Sequence, residues 1–239
     1  MAQRLRGTVW IARCFGIRVG IDPSWLLVFA LVTWALSGSF ADLGRVHAWA
    51  LAALAAAAFF ASVVIHEFAH ALTARRFGVT TLAIRLFLFG GAATIASEPP
   101  TPAAEVAIAA AGPMCSALLA VLCGAGVEAL LLFGGRPDVA LLLMYLAAAN
   151  ALVAAFNLLP AYPLDGGRIL RACLWQWRGD HGAATRISSV SGMALAFALG
   201  AAGIAVASHG RHWDALWYVA VAGFVSAATI HSYRRARRG

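Results

Sequence analysis

His66-Glu67-Phe68-Ala69-His70 places two imidazoles four residues apart, with a carboxylate beside the first. On a helix, residues i and i+4 share a face, so both rings can reach one metal ion, and Glu67 then stands ready as general base towards a metal-activated water. In a 239-residue chain with seven histidines, a chance HExxH is expected only about 0.003 times. The surroundings sharpen the reading. The motif ends an apolar run over residues 47–74, and an acidic side chain at the centre of a membrane helix costs about 2.5–3.5 kcal/mol on insertion scales, so it calls for a compensating role. The competing reading, polar side chains reaching from a span end towards water, is weaker. Arg75 and Arg76 already serve that purpose, and it does not require this spacing.

A catalytic zinc site commonly joins three protein ligands to one open position. The best candidate for the third is Asp165, in the run Asn157-Leu158-Leu159-Pro160-Ala161-Tyr162-Pro163-Leu164-Asp165-Gly166-Gly167-Arg168. Pro160 and Pro163 interrupt regular helix, and Gly166-Gly167 permits a turn that lets the carboxylate face back into a helix bundle. Alone, this would be an ordinary turn aspartate before glycine; beside HExxH it is a ligand candidate. Asn157 can donate to a substrate carbonyl or a developing oxyanion, in competition with a plain hydrogen bond between helices. Glu105 and Glu128 read as solvated residues near the ends of the third span. His209 and His212 make at best a weak second metal pair.

What must position these groups follows from composition. The chain is 62% hydrophobic and only 12% charged, with a mean hydropathy of +0.81, whereas a soluble domain carries about 25% charged residues. Apolar runs at 24–41, 47–74, 103–133, 139–159, 187–208 and 213–231 give six spans, so both termini lie on one side of the membrane. The expected fold is all-α and polytopic, with a small membrane-associated β-hairpin or sheet near the cytoplasmic face, and residues 1–239 form a single integral membrane domain.

The net charge of +8 raises the question of nucleic acid, but the placement of the charges answers it. Every basic residue is Arg. Arg4, Arg6, Arg13, Arg18, Arg75, Arg76, Arg85, Arg168, Arg171, Arg178, Arg186, Arg234, Arg235, Arg237 and Arg238 fall on the side of the termini, and only Arg45, Arg136 and Arg211 fall opposite. By the positive-inside rule, both termini and the second and fourth loops are cytoplasmic. No nucleic-acid partner is needed, and the C-terminal arginines anchor the last helix at anionic lipid. The second and fourth spans both run inward, which brings His70 and Asp165 to the same cytoplasmic depth.

Smaller features complete the frame. Cys14, Cys115, Cys123 and Cys173 contain no CxxC pair and support neither a disulfide framework nor a cysteine zinc site. The first span is expected to stay uncleaved rather than serve as a signal peptide. Asp22-Pro23 and Thr101-Pro102 read as helix starts. Residues 15–21 and 79–96 are rich in β-branched and aromatic side chains and read as strands, the second with a hairpin around Gly90-Gly91. Their backbone groups must be satisfied, so they pack on helices or line a cavity. The hairpin around Phe89, Gly90 and Gly91 offers an edge on which an unwound substrate could lie as an added strand; a structural turn explains the glycines nearly as well. Trp175 and Trp177 suggest an interfacial amphipathic helix.

HEFAH in one span and NLLPAYPLDGGR some ninety residues later resemble the paired motifs of the site-2 protease family of intramembrane zinc metalloproteases. FGIRVGIDPSWLL, LFLFGGAA and AAAGPMCS (residues 109–116) resemble recurrent segments of the same family. The resemblance implies one catalytic zinc ion held by His66, His70 and Asp165, with Glu67 as the catalytic glutamate and Asn157 in contact with substrate or transition state. It implies hydrolysis of peptide bonds in or near the bilayer of a bacterial cell, with the active site towards the cytoplasm. The implied substrate is a membrane-spanning protein, such as a membrane-tethered regulator or an anti-sigma factor. Asp22 stands where relatives often have histidine and is assigned no chemistry. No PDZ insertion or CBS pair is expected. The rivals are a membrane metal transporter, which should spread ionisable residues along several spans, and an inactive membrane scaffold, which should lack Glu67 or a ligand.

Overall fold

The computed structural model of the protein describes residues 7–88 and 90–238, the side chains of 235–238 excepted. Arg4, Arg6, Phe89 and the side chains of Arg235, Arg237 and Arg238 therefore lie outside the described residues.

The chain opens with strands β1 (Val9–Cys14) and β2 (Ile17–Ile21), followed by helix α1 (Ser24–Ser37), a short 3-10 helix (Gly38–Leu43) and the long α2 (Arg45–Arg76). Strands β3 (Thr81–Phe87) and β4 (Gly90–Ile95) come next, then helices α3 (Pro102–Leu132), α4 (Pro137–Asn157), α5 (Asp165–Arg178), α6 (His181–Ser208) and α7 (His212–Arg238). Among the described residues, six segments are long and apolar enough to cross a membrane: Ser24–Leu43, Arg45–Arg76, Pro102–Leu132, Pro137–Asn157, His181–Ser208 and His212–Arg234. They match the six expected spans; the largest departure is the fifth, which begins six residues early because Asp180 caps it, its side chain accepting from the Ala183 amide at 2.9 Å. The remaining helix, α5, is the amphipathic segment bearing Trp175 and Trp177.

The strands form one sheet in the order β1-β2-β3-β4. β1 and β2 are antiparallel, β2 and β3 parallel, and β3 and β4 antiparallel, the last pair closing at Phe87 opposite Gly90. The expected strand at 15–21 begins at Ile17, because Phe15 and Gly16 form a turn with positive φ. That turn joins β2 to β1, a strand the sequence did not announce: all six residues of VWIARC are exposed, so the strand lacks the alternation that burial of one face imposes.

The chain packs as two compact units, Met1–Glu98 with Ala111–Ala154, and Pro99–Ala110 with Ala155–Gly239. In the first, the sheet packs on the second half of α2 through Ile17, Ala71 and Ile84, flanked by Phe68 and Ala93. A second cluster of Val28, Phe60 and Leu86 joins α1, α2 and β3, with the Trp25 and Phe29 rings in tilted contact at 5.0 Å between centroids. The start of α1 is tied to the sheet. Asp22 Oδ1 accepts from the Ser24 hydroxyl at 2.7 Å and amide at 3.1 Å, Ser24 Oγ accepts from the Leu88 amide at 3.2 Å, and the Asp22 amide donates to Leu86 O at 2.8 Å. The two Ser24 hydrogen bonds hold the Asp22 carboxyl below its ordinary value.

In the second unit, α6 and α7 pack side by side and α5 lies against α6. Thr101 caps α3 as expected, its Oγ1 accepting from the Ala104 amide at 3.1 Å.

Candidate metal centre

Helix α2 presents His66 and His70 one turn apart, both buried. Their Nε2 atoms stand 3.1 Å from each other, with the rings edge to face at 79°. Two nitrogens turned to one point at that separation are arranged as ligands to a shared ion. His66 Nδ1 lies 2.9 Å from Ser116 Oγ on α3. With Nδ1–H donating to that hydroxyl, Nε2 carries the lone pair, the tautomer a metal requires.

Space around the pair is set by a glycine. A Cβ at Gly112 would fall against His70 Nε2 and stand 2.6 Å from His66 Nε2, so only a bare backbone lets α3 approach the imidazoles. Glu67, pointing roughly 100° around the helix from His66, packs against the sheet: a Cβ at Gly91 would meet its Cγ at 2.7 Å and its Oε1 at 3.1 Å. Gly90 has φ +118, which side chains rarely adopt. The glycines thus begin β4 rather than form the turn itself, and β4 is a terminal strand of the sheet. His66, Glu67, His70, Gly90 and Gly91 all belong to the first unit, brought together by α2 and the strand beside it.

Asp165 and Asn157 belong to the second unit. Asn157 is the last residue of α4 and is half-buried. Asp165 is buried and is the first residue of α5, with Arg168 Nη1 3.7 Å from its Oδ1. The sequence suggested that Gly166-Gly167 supplies turn flexibility; instead both lie within the first turn of α5. A Cβ at Gly166 would fall on the carbonyl oxygens of Leu158 and Leu159, and one at Gly167 on the backbone nitrogen of Tyr162. The glycines permit a close approach between the helix start and the loop before it. Glu105, expected to be solvated, is fully buried. Arg171 on α5 pairs with it, Nε donating to Oε1 at 2.8 Å and Nη2 to the same oxygen, because a carboxylate out of water must be neutralised by an adjacent cation.

The family model for Peptidase family M50 matches residues 54–134 and 136–199, more than half of the chain. The chain belongs to peptidase family M50. Among its relatives, a Mycobacterium tuberculosis protein named as a zinc metalloprotease, Rip3, is 36% identical over 230 residues, covering 94% of this chain and 58% of its own length. A Synechocystis protein, also named as a zinc metalloprotease, is 35% identical over 227 residues, covering 91% of this chain and 59% of its own length. The chain thus spans somewhat under two thirds of the curated relatives it matches. Among solved structures, the site-2 protease from Methanocaldococcus jannaschii superposes with a TM-score of 0.67 at 27% identity, covering 95% of each chain. The architecture is therefore that of the site-2 protease fold, and six apolar helices in this setting make the protein an integral membrane protein.

The donors of this M50 chain fit one zinc ion. Two imidazoles with convergent Nε2 atoms, one with a hydroxyl against its Nδ1 and both cleared by a glycine, supply two of the nitrogen and oxygen donors that zinc takes. Sequence reasoning missed the roles of Gly112 and Ser116. Their only signal was the segment AAAGPMCS, in which a glycine and a hydroxyl four residues apart share one face of a helix.

Proposed function

We propose that this M50 protein is a zinc metalloendopeptidase that hydrolyses peptide bonds of membrane-protein substrates within or near the bilayer. The observation that carries the reading is the convergence of His66 and His70 Nε2 at 3.1 Å, with Glu67 beside them, in a helix apolar enough to span a membrane. Asp165 is proposed as the third ligand; its motif, its burial and the inward direction of the spans before it support that role. Residues 1–239 act as one membrane domain, with termini and active site facing the cytoplasm of a bacterial cell, as the arginine distribution supports.

When bound, zinc supplies Lewis-acid chemistry and makes water nucleophilic near neutral pH. Glu67 accepts the proton of the attacking water at a carboxylate oxygen and delivers it to the leaving amine. The imidazoles stay fixed, His66 through Ser116. A scissile bond inside a helix is shielded by its own hydrogen bonds, so the substrate must unwind first; β4, a terminal strand whose Gly91 touches Glu67, offers main-chain groups to an extended segment. Asn157 donates to the substrate carbonyl oxygen. A membrane-tethered regulator such as an anti-sigma factor fits the substrate class.

The test compares the purified native protein with Glu67→Gln for zinc content and for cleavage of a single-span reporter substrate. Both should hold about one zinc, and cleavage should fall at least ~100-fold in the variant. Unchanged cleavage would overturn the role of Glu67, and a native protein without zinc would overturn the centre.

A further inference from the structure

Asp165 opens α5 directly after a loop that regular secondary structure does not hold, yet a ligand must be fixed to within about 0.5 Å. The second unit contains a device suited to that. Tyr162, three residues before Asp165, is gripped from several sides. Its carbonyl oxygen accepts from Thr229 Oγ1 on α7 at 2.8 Å. The same oxygen fits against α6 only because position 192 is glycine, where a Cβ would fall upon it. Its ring lies under the Arg171 guanidinium, 5.1 Å from Cζ to the centroid, and its hydroxyl is 3.4 Å from Arg171 Nη1. Arg171, about 1.7 turns along α5 from Asp165, is itself held by Glu105 of α3. Glu105, Arg171 and Thr229 are buried, and Glu105 Oε2 has no hydrogen-bond partner among the described residues.

A buried ion pair is a poor source of stability compared with apolar packing, and leaving a carboxylate oxygen unpaired adds to its cost. Retention of such a pair one loop away from a ligand is understandable where it fixes position. We propose that Glu105, Arg171 and Thr229 are positioning residues for the Asp165 carboxylate. They act through Tyr162 from one end and through the first turns of α5 from the other, setting the zinc affinity of the centre. This rests on the reading of Asp165 as a ligand.

Zinc affinity of the full chain in lipid nanodiscs, measured by competition with a chromophoric chelator, tests it through a double-mutant cycle. Glu105→Gln should weaken zinc about tenfold or more, the range typical of groups that orient metal ligands. Asp165→Ala should weaken it further, and Glu105→Gln added to Asp165→Ala should cause no additional loss. Equal losses from Glu105→Gln in both backgrounds would mean a general structural role and overturn the proposal. Asp165→Ala without any effect on zinc would instead overturn the ligand reading itself. Should Glu105→Gln fail to fold, Thr229→Val carries the same cycle: it removes only the hydroxyl holding the Tyr162 carbonyl, and is expected to weaken zinc in the native background alone. Native affinity in Thr229→Val would overturn the positioning role of that contact.

Discussion

The two units carry their proposed ligands by opposite means. In the first, one uninterrupted helix delivers both imidazoles, and helix periodicity alone decides where they point. In the second, the carboxylate arrives at the junction of a loop and a helix, where periodicity decides nothing and buried contacts at Tyr162, Arg171 and Glu105 do the holding. Ligands inside a helix depend chiefly on clearance; one at a helix start depends on anchorage as well.

The strongest way to break that contrast is Gly112→Ala. Intrinsic propensity favours alanine over glycine in a helix by about 1 kcal/mol, yet the added Cβ falls against both Nε2 atoms. Zinc content, measured by atomic emission on purified protein, should drop from about one ion per chain to near zero; retention of zinc would show that clearance is not what Gly112 provides. Next in size, Gly167→Ala presses on the backbone of Tyr162, and overpacking of this kind costs about 1–3 kcal/mol. Gly124→Ala, in α3 with open space around it, should be neutral or stabilising. Thermal unfolding of the two variants should therefore move in different directions.

Ser116→Ala leaves the helix that carries His66 intact and removes only the partner of Nδ1. Zinc affinity should fall about tenfold, with little change in melting temperature. Loss of stability without loss of affinity would make Ser116 a packing residue.

The smallest effect concerns the start of α1. The Asp22 carboxyl is depressed by its hydrogen bonds to Ser24, so the folded state binds fewer protons than the unfolded one. Its contribution is fully present above the ordinary carboxyl value of 3.8 and is lost as pH falls through the lower folded value. The difference in melting temperature between the native protein and Asp22→Ala should thus be present at about pH 6 and shrink towards about pH 3. A difference independent of pH would remove the carboxylate from the account.

What the sequence made legible follows the same division. HEFAH could be read because spacing on a helix is geometry, and the six spans because twenty consecutive apolar residues have few other uses. Around Asp165 the local structure was not legible: its glycines looked like turn residues, whereas they serve close approach. Glu105 looked solvated because its partner, Arg171, is 66 residues away, beyond any local pattern. Gly112 and Ser116 were hidden for the same reason, since what they touch lies on another helix. β1 escaped because strand periodicity is a record of one buried face, and this strand has none.

The parallel pairing of β2 with β3 has a consequence for the order in which the protein is made. Arg18 pairs with Ala83 and Ile21 with Leu86, so β2 waits, with one hydrogen-bonding edge unfilled, while α1 and α2 are synthesised between them. Such long-range pairing is slow to form and leaves strand edges exposed in the interim. The sheet against which Glu67 rests is therefore completed only after the first two spans have emerged, and a ribosome stalled just past Arg76 would display a nascent chain with its histidines made and the wall beside its glutamate still missing.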